Sequence, residues 1–164
     1  MRVKKEQFTS SAEEGIKKLL ILEDFDSIRA FLSRHFIKRG FDVYSSATLR
    51  DAVALAAESV PAVVIIDFDL SDTDAFFALE QLRLVSPQSC LILMGCPDSP
   101  SATERALRAG ANKLLQKSYD LERLDALVEE LLYGANQPST NEADANQASA
   151  KNPGTAEAFK KEVE

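Results

Sequence analysis

The chain is poor in cysteine, has no excess of basic charge and carries no long apolar run. Its two cysteines, Cys90 and Cys96, form neither a CxxC motif nor a disulfide framework, a usage that fits a reducing, cytoplasmic setting. Acidic residues outnumber basic ones, 26 to 19, for a formal net charge of −7. Phosphate-backbone binding needs a basic face, so nucleic acid is not an expected direct partner. No apolar stretch approaches the roughly 20 residues of a membrane span. The N-terminal MRVKKEQFTSSAEEG has charges but no apolar core, so it does not read as a secretory signal. What remains is the balance of an ordinary globular protein, 45% hydrophobic and 27% charged over 164 residues. That length suits one domain with tails.

Residues 1–17 are polar and without periodicity, and are expected to form a flexible arm. Residues 134–164, GANQPSTNEADANQASAKNPGTAEAFKKEVE, are rich in Ala, Asn, Pro, Ser and Thr and are expected to be disordered. Residues 18–133 alternate apolar runs with helical patterns. Lys18 to Leu22 reads as a first strand. Ile28, Phe31, Leu32, His35 and Phe36 then recur at helical spacing, and Gly40 is the stop. Phe41 to Ser45 alternates like a strand near a sheet edge. Thr48 with Asp51 resembles a capping box. Pro61 breaks that helix, and Val63 to Ile66 form an apolar run bounded by Asp67. Phe76, Leu79, Leu82 and Val85 line a third helix, and Leu91 to Met94 read as a fourth strand. Ser101 with Glu104 is expected to cap a helix ending at Gly110. Leu114 and Leu115 lie in a fifth strand, and Leu121, Leu124, Leu127, Val128 and Leu131 line a last helix.

Five strand–helix repeats with near-continuous apolar strands imply a parallel sheet covered on both faces. The expected architecture is an α/β, flavodoxin-like, doubly wound five-stranded sheet with strand order 2-1-3-4-5. In such sheets chemistry sits outside the carboxyl ends of the strands. There the first strand ends in Glu23 and Asp24, the third in Asp67 and the fifth in Lys117. Three converging carboxylates repel, so a counter-charge is required. A Mg²⁺ ion with Lys117 would balance them, since Mg²⁺ favours hard oxygen ligands and retained water.

These residues resemble a known family. LLILEDFDSIRAFL is similar to the acidic first-strand motif of response-regulator receivers. VVIIDFDLSDTDA is similar to their phosphoacceptor motif, D-x-x-M-P-x-x-D-G, and GANKLLQKSY to their fifth-strand motif. The resemblance covers about Lys18 to Leu132. It implies that Asp67 takes a phosphoryl group as an aspartyl phosphate. It also implies that Asp24 and Asp67 hold Mg²⁺ directly, Glu23 through water and Asp69 by its backbone carbonyl, while Lys117 pairs with phosphoryl oxygens. The implied partners are a histidine kinase or phosphotransfer protein, and a downstream protein reached through the strand-four to helix-five face. No room for a DNA-binding module follows Leu132, so a stand-alone receiver with output through a partner is expected; as a phosphoacceptor it is expected to be a signalling domain, not an enzyme.

The sequence also departs from the pattern. Gly95 stands where receivers carry a Thr or Ser hydroxyl, and Leu114 where they carry an aromatic. Ser71, Ala75 and Ser118 replace the usual Pro, Gly and Pro. Ser99 or Ser101 would be the nearby substitutes for the lost hydroxyl. With both coupling residues gone, a small response of the strand-four to helix-five face is expected. A pseudo-receiver that binds without phosphate control is therefore the alternative. A distant one is a haloacid-dehalogenase-type phosphohydrolase, which Asp67-Phe68-Asp69 resembles, although no downstream GDxxxD follows. His35 reads as a tolerated helix residue, Cys96 as packing, and Arg105, Arg108, Lys113 and Arg123 as a partly basic face.

Overall fold

The computed structural model describes residues 17–116 and 120–134. The expected arm and tail, apart from Lys17 and Gly134, lie outside these residues, and so does Lys117. Ten elements alternate along the chain: β1 (Lys18–Leu22), α1 (Asp26–Lys38), β2 (Asp42–Ser46), α2 (Leu49–Ser59), β3 (Val63–Asp67), α3 (Ala75–Val85), β4 (Cys90–Cys96), α4 (Pro100–Ala109), β5 (Lys113–Gln116) and α5 (Leu121–Tyr133). All strand pairs are parallel, in the order β2-β1-β3-β4-β5. This is the doubly wound sheet that the alternation implies.

The period of two along each strand divides the core. Leu20, Leu22, Val64, Ile66, Leu91 and Leu93 face α2, α3 and α4, where Ala52, Ala56, Ala106 and Ala109 bring the helices close to the sheet. Leu19, Ile21, Val63, Ile65, Ile92 and Met94 face the other way, onto Leu32 and Phe36 of α1 and Leu124 and Val128 of α5. The strands are apolar throughout because both of their faces are buried. β2 lies at the edge and is only partly covered.

Two local expectations change. The cap of α4 is Ser99 rather than Ser101: its hydroxyl accepts from the Ala102 N–H at 3.2 Å, with Pro100 at the first helical position. Proline is pre-organised for that place, so it moves the start of the helix forward. Glu104 instead pairs with Arg108 at 3.2 Å. In α1, Leu32 and Phe36 are buried, whereas Ile28 is 38% and Phe31 48% exposed. Phe31 and Leu32 lie about 100° apart around the helix, so one contact with the sheet cannot bury both. Thr48 caps α2 as expected, its Oγ1 accepting from the Asp51 N–H at 3.3 Å. Among the described residues no helix is long and apolar enough to cross a membrane.

Candidate functional site

Because all five strands run the same way, their C-terminal ends share one edge, and β1 and β3 are neighbours. Glu23 and Asp24 follow β1 directly and Asp67 ends β3. The structure brings these three together: one carboxylate oxygen from each lies within 4.8 Å of the others.

Glu23 is 1% exposed, and its Oε1 accepts from the Phe25 N–H at 3.0 Å. Burial pushes its carboxyl up to about 7; the Phe25 bond opposes this, and the charges of Asp67 and Asp24 add to it. Asp67 is raised as well, first by burial, with its Oδ2 held by the Asp69 N–H at 3.0 Å. Asp24 Oδ2 accepts from the Ser71 N–H at 3.0 Å. Its Oδ1 is buried with no hydrogen-bond partner, the one such side-chain atom among the described residues. A buried carboxylate oxygen without a donor is costly unless a cation completes it. Three clustered carboxylates, one of which carries an orphaned oxygen, fit a divalent cation such as Mg²⁺.

The β3–α3 loop holds this cluster in place. Ser71 ties it to Asp24, Asp72 Oδ2 accepts from the Leu49 N–H at the start of α2 at 2.9 Å, and Asp74 caps α3 by accepting from Phe76 and Phe77. The motif marks Ser71 only as a replaced Pro and does not single out Asp72, because the contacts of both are with distant segments. Asp74 had a visible signal, an Asp just before an apolar helical run.

Gly95 lies against the acceptor, as its alignment predicts. A Cβ built on it would sit 3.4 Å from Asp67 Oδ1 and 3.7 Å from Phe68 Cβ. What the alignment does not show is that its φ is +81° and that the β4–β5 register shifts between Met94 and Cys96. The strand therefore bulges here, in a conformation that favours glycine. Besides the missing hydroxyl, the backbone at this position has a left-handed φ that a Thr or Ser would adopt only with strain. Ser99 is no free substitute, because its hydroxyl caps α4. Leu114 is half-buried on β5 and packs towards α2, α3 and α4.

The other candidates fall outside the cluster. His35 Nε2 meets Asp125 Oδ1 at 2.8 Å, joining α1 to α5. Cys96 is 2% exposed and burial pushes its thiol up, as suits a packing residue. The basic face is largely matched by acids, with Arg105 on Asp74, Arg108 on Glu104 and Lys113 on Glu130.

Comparison with known proteins identifies the family. Residues 19–129 match the response regulator receiver domain family. The regulatory protein AtoC of Escherichia coli is 32% identical over 118 residues, which are 72% of this chain and 26% of AtoC. The chemotaxis protein CheY of Bacillus subtilis is 25% identical over 108 residues, 65% of this chain and 90% of CheY. The chain spans about a quarter to a half of the length of several other relatives, AtoC included. Among solved structures, the chemotaxis protein CheY4 of Vibrio cholerae superposes with a TM-score of 0.67 at 24% identity, over 71% of this chain and 99% of that one. That likeness is one of fold. With the family match covering most of the chain and the acidic cluster standing where the fold places chemistry, this protein belongs to the response regulator receiver domain family.

Proposed function

We propose that this domain accepts a phosphoryl group on Asp67 in a two-component phosphorelay and acts through protein partners. The observation that carries the reading is the convergence of Glu23, Asp24 and Asp67, with one buried Asp24 oxygen left without a hydrogen-bond donor. An Asp67 carboxylate oxygen forms the new bond to phosphorus; the bond to the donor breaks and its electron pair stays with the donor. The Asp69 N–H holds the other Asp67 oxygen and so orients the nucleophile. Asp24 and Asp67 would hold Mg²⁺ directly, Glu23 through water and Asp69 by its backbone carbonyl; when bound, the ion neutralises charge building on the phosphoryl oxygens. By its place in the fifth-strand motif, Lys117 is assigned to pair with those oxygens.

The donor is a histidine kinase or phosphotransfer protein, and the output is a downstream protein bound on the β4 to α5 face. The stand-alone reading draws on the likeness to CheY of Bacillus subtilis, 90% of which is covered. The setting is the cytoplasm, and the domain is a signalling acceptor rather than a turnover enzyme.

The test is intact mass after incubation with Mg²⁺ and a small phosphodonor. One phosphoryl group is expected, none without Mg²⁺, none in Asp67→Asn and most of it in Asp69→Asn. An unlabelled wild type would point to a constitutive pseudo-receiver. Sustained phosphoester turnover would point to a phosphohydrolase.

A further inference from the structure

Gly95 and Leu114 lack the groups that usually connect the acceptor to the outer surface, but a different line of contacts leaves Asp67. Phe68 is its chain neighbour, and the Phe68 N–H is fixed on the Met94 carbonyl at 2.8 Å. The Phe68 ring meets Phe76 edge-on, with centroids 5.7 Å apart and an interplanar angle of 84°. Phe76, at the start of α3, is 7% exposed. Arg105 of α4 also lies over the Phe76 ring, its guanidinium carbon 4.1 Å from the ring centroid. Arg105 Nη2 also lies 3.5 Å from Asp74 Oδ1, and its side chain is 59% exposed.

We propose that Phe68, Phe76 and Arg105 carry the state of Asp67 to the surface of α4, in place of the hydroxyl–aromatic pair. The inference rests on the acceptor reading above. Its physical basis is that both partners of Arg105, the Phe76 ring and the Asp74 carboxylate, sit at the end of the loop that begins at Asp67. Ser71 of the same loop is bound to Asp24 of the carboxylate cluster. When Asp24 and Asp67 are drawn to a cation and a phosphoryl group, this loop is re-seated from its first residue. Ring and carboxylate then move together beneath an exposed cation, which settles into a second arrangement on α4. A guanidinium suits this role, because it stacks on an aromatic face and pairs with a carboxylate at once.

The experiment uses the full chain with ¹⁵N-labelled arginine and backbone amides, with and without Mg²⁺ and beryllium trifluoride, a stand-in for the phosphoryl group on Asp67. Arg105→Lys assigns the Arg105 Nε–Hε signal. Shifts are expected at the Asp24 and Asp67 amides and at Arg105 Nε–Hε. In Phe76→Leu the Arg105 shift should fall to less than half while the site shifts persist. Phe76→Met fills a similar volume without the ring and should lose as much, which covers a failure of the first variant to fold. Site shifts with a silent Arg105, or an undiminished Arg105 shift in both variants, would overturn this route and leave the acceptor reading intact. No shift at Asp24 and Asp67 would sink both.

Discussion

The two ends of the sheet treat their polar groups in opposite ways. At the end where the strands begin, exposed and partly buried polar groups are paired. Arg83 of α3 donates to the carbonyls of Pro87, Ser89 and Gly110 and to Asn112 Oδ1, at 2.7 to 2.8 Å. Asn112 Oδ1 also accepts from the Leu91 N–H at 2.8 Å, so one side chain joins the end of α3, the end of α4 and the entry of β4. Lys18 Nζ donates to the Ser59 carbonyl at the end of α2. At the other end three acids converge, one oxygen has no donor, and Glu23 is driven up to about 7. The first end stabilises the fold. The second leaves electrostatic strain that a cation and a phosphoryl group can relieve.

This contrast makes the sign of a substitution depend on where it falls. Arg83→Met removes four hydrogen bonds and leaves partly buried acceptors, so it should destabilise by about 2–3 kcal/mol. Urea unfolding measures this, and a change below experimental error would show that the paired end is not the stabilising one. Gly110, with φ +109° and its Cβ position 3.1 Å from Arg83 Nε, leaves the room that this packing needs.

At the acidic end the sign should reverse. Glu23→Gln keeps an acceptor for the Phe25 N–H but removes a buried charge, so without metal and well above pH 7 it should stabilise by about 2 kcal/mol. The same shift sets a pH dependence. Between the ordinary 4.5 and about 7 the folded chain keeps a proton on Glu23 that the unfolded chain has released. Stability of the metal-free protein therefore falls as pH rises through that window and levels off above it. Mg²⁺ competes with that proton, so its affinity should weaken as pH drops below about 7. Thermal melts across the window, with and without Mg²⁺, check both statements. A metal-free melting temperature that rises through the window would refute them.

Gly95→Thr sharpens the comparison within the site. If only a hydroxyl were missing, Thr would restore it at no cost to the fold. Because φ is +81° at the bulge, a β-branched residue there is strained and should cost about 1–2 kcal/mol. Urea unfolding of this variant measures it, and unchanged stability would mean that the bulge relaxes. The smallest effect belongs to the tail: ending the chain at Gly134 should leave the melting temperature within error. Residues 135–164 offer little apolar surface to offset the roughly 1–2 kcal/mol per residue lost on ordering. A drop of several degrees would mean that the tail docks on the domain.

Legibility followed the range of the interactions. β1 and β3 could be read nearly to the residue, because their apolar runs end sharply at Glu23 and at Asp67. β4 runs further than its apolar centre, from Cys90 to Cys96, since pairing with β3 and β5 carries it across residues without strong strand character. The expected cap Ser101 starts α4 two residues late, because Pro100 is pre-organised for the first helical position and makes Ser99 the cap. Glu23, Asp24 and Asp67 stood out because a parallel sheet places strand-end residues side by side. Ser71, Asp72 and the Phe76–Arg105 contact did not, because each joins segments that no local pattern connects.

The sequence by itself determined the alternation of strands and helices, the burial of both sheet faces and the identity of the acids. These follow from periodicity and from residue type, which are local properties of a chain. Only the tertiary structure decided which acid oxygen is left without a donor, how far Glu23 is driven towards neutrality, and that Gly95 bulges rather than simply lacking a side chain. Those depend on desolvation and on where distant N–H groups come to rest, and neither exists until the strands and loops have packed.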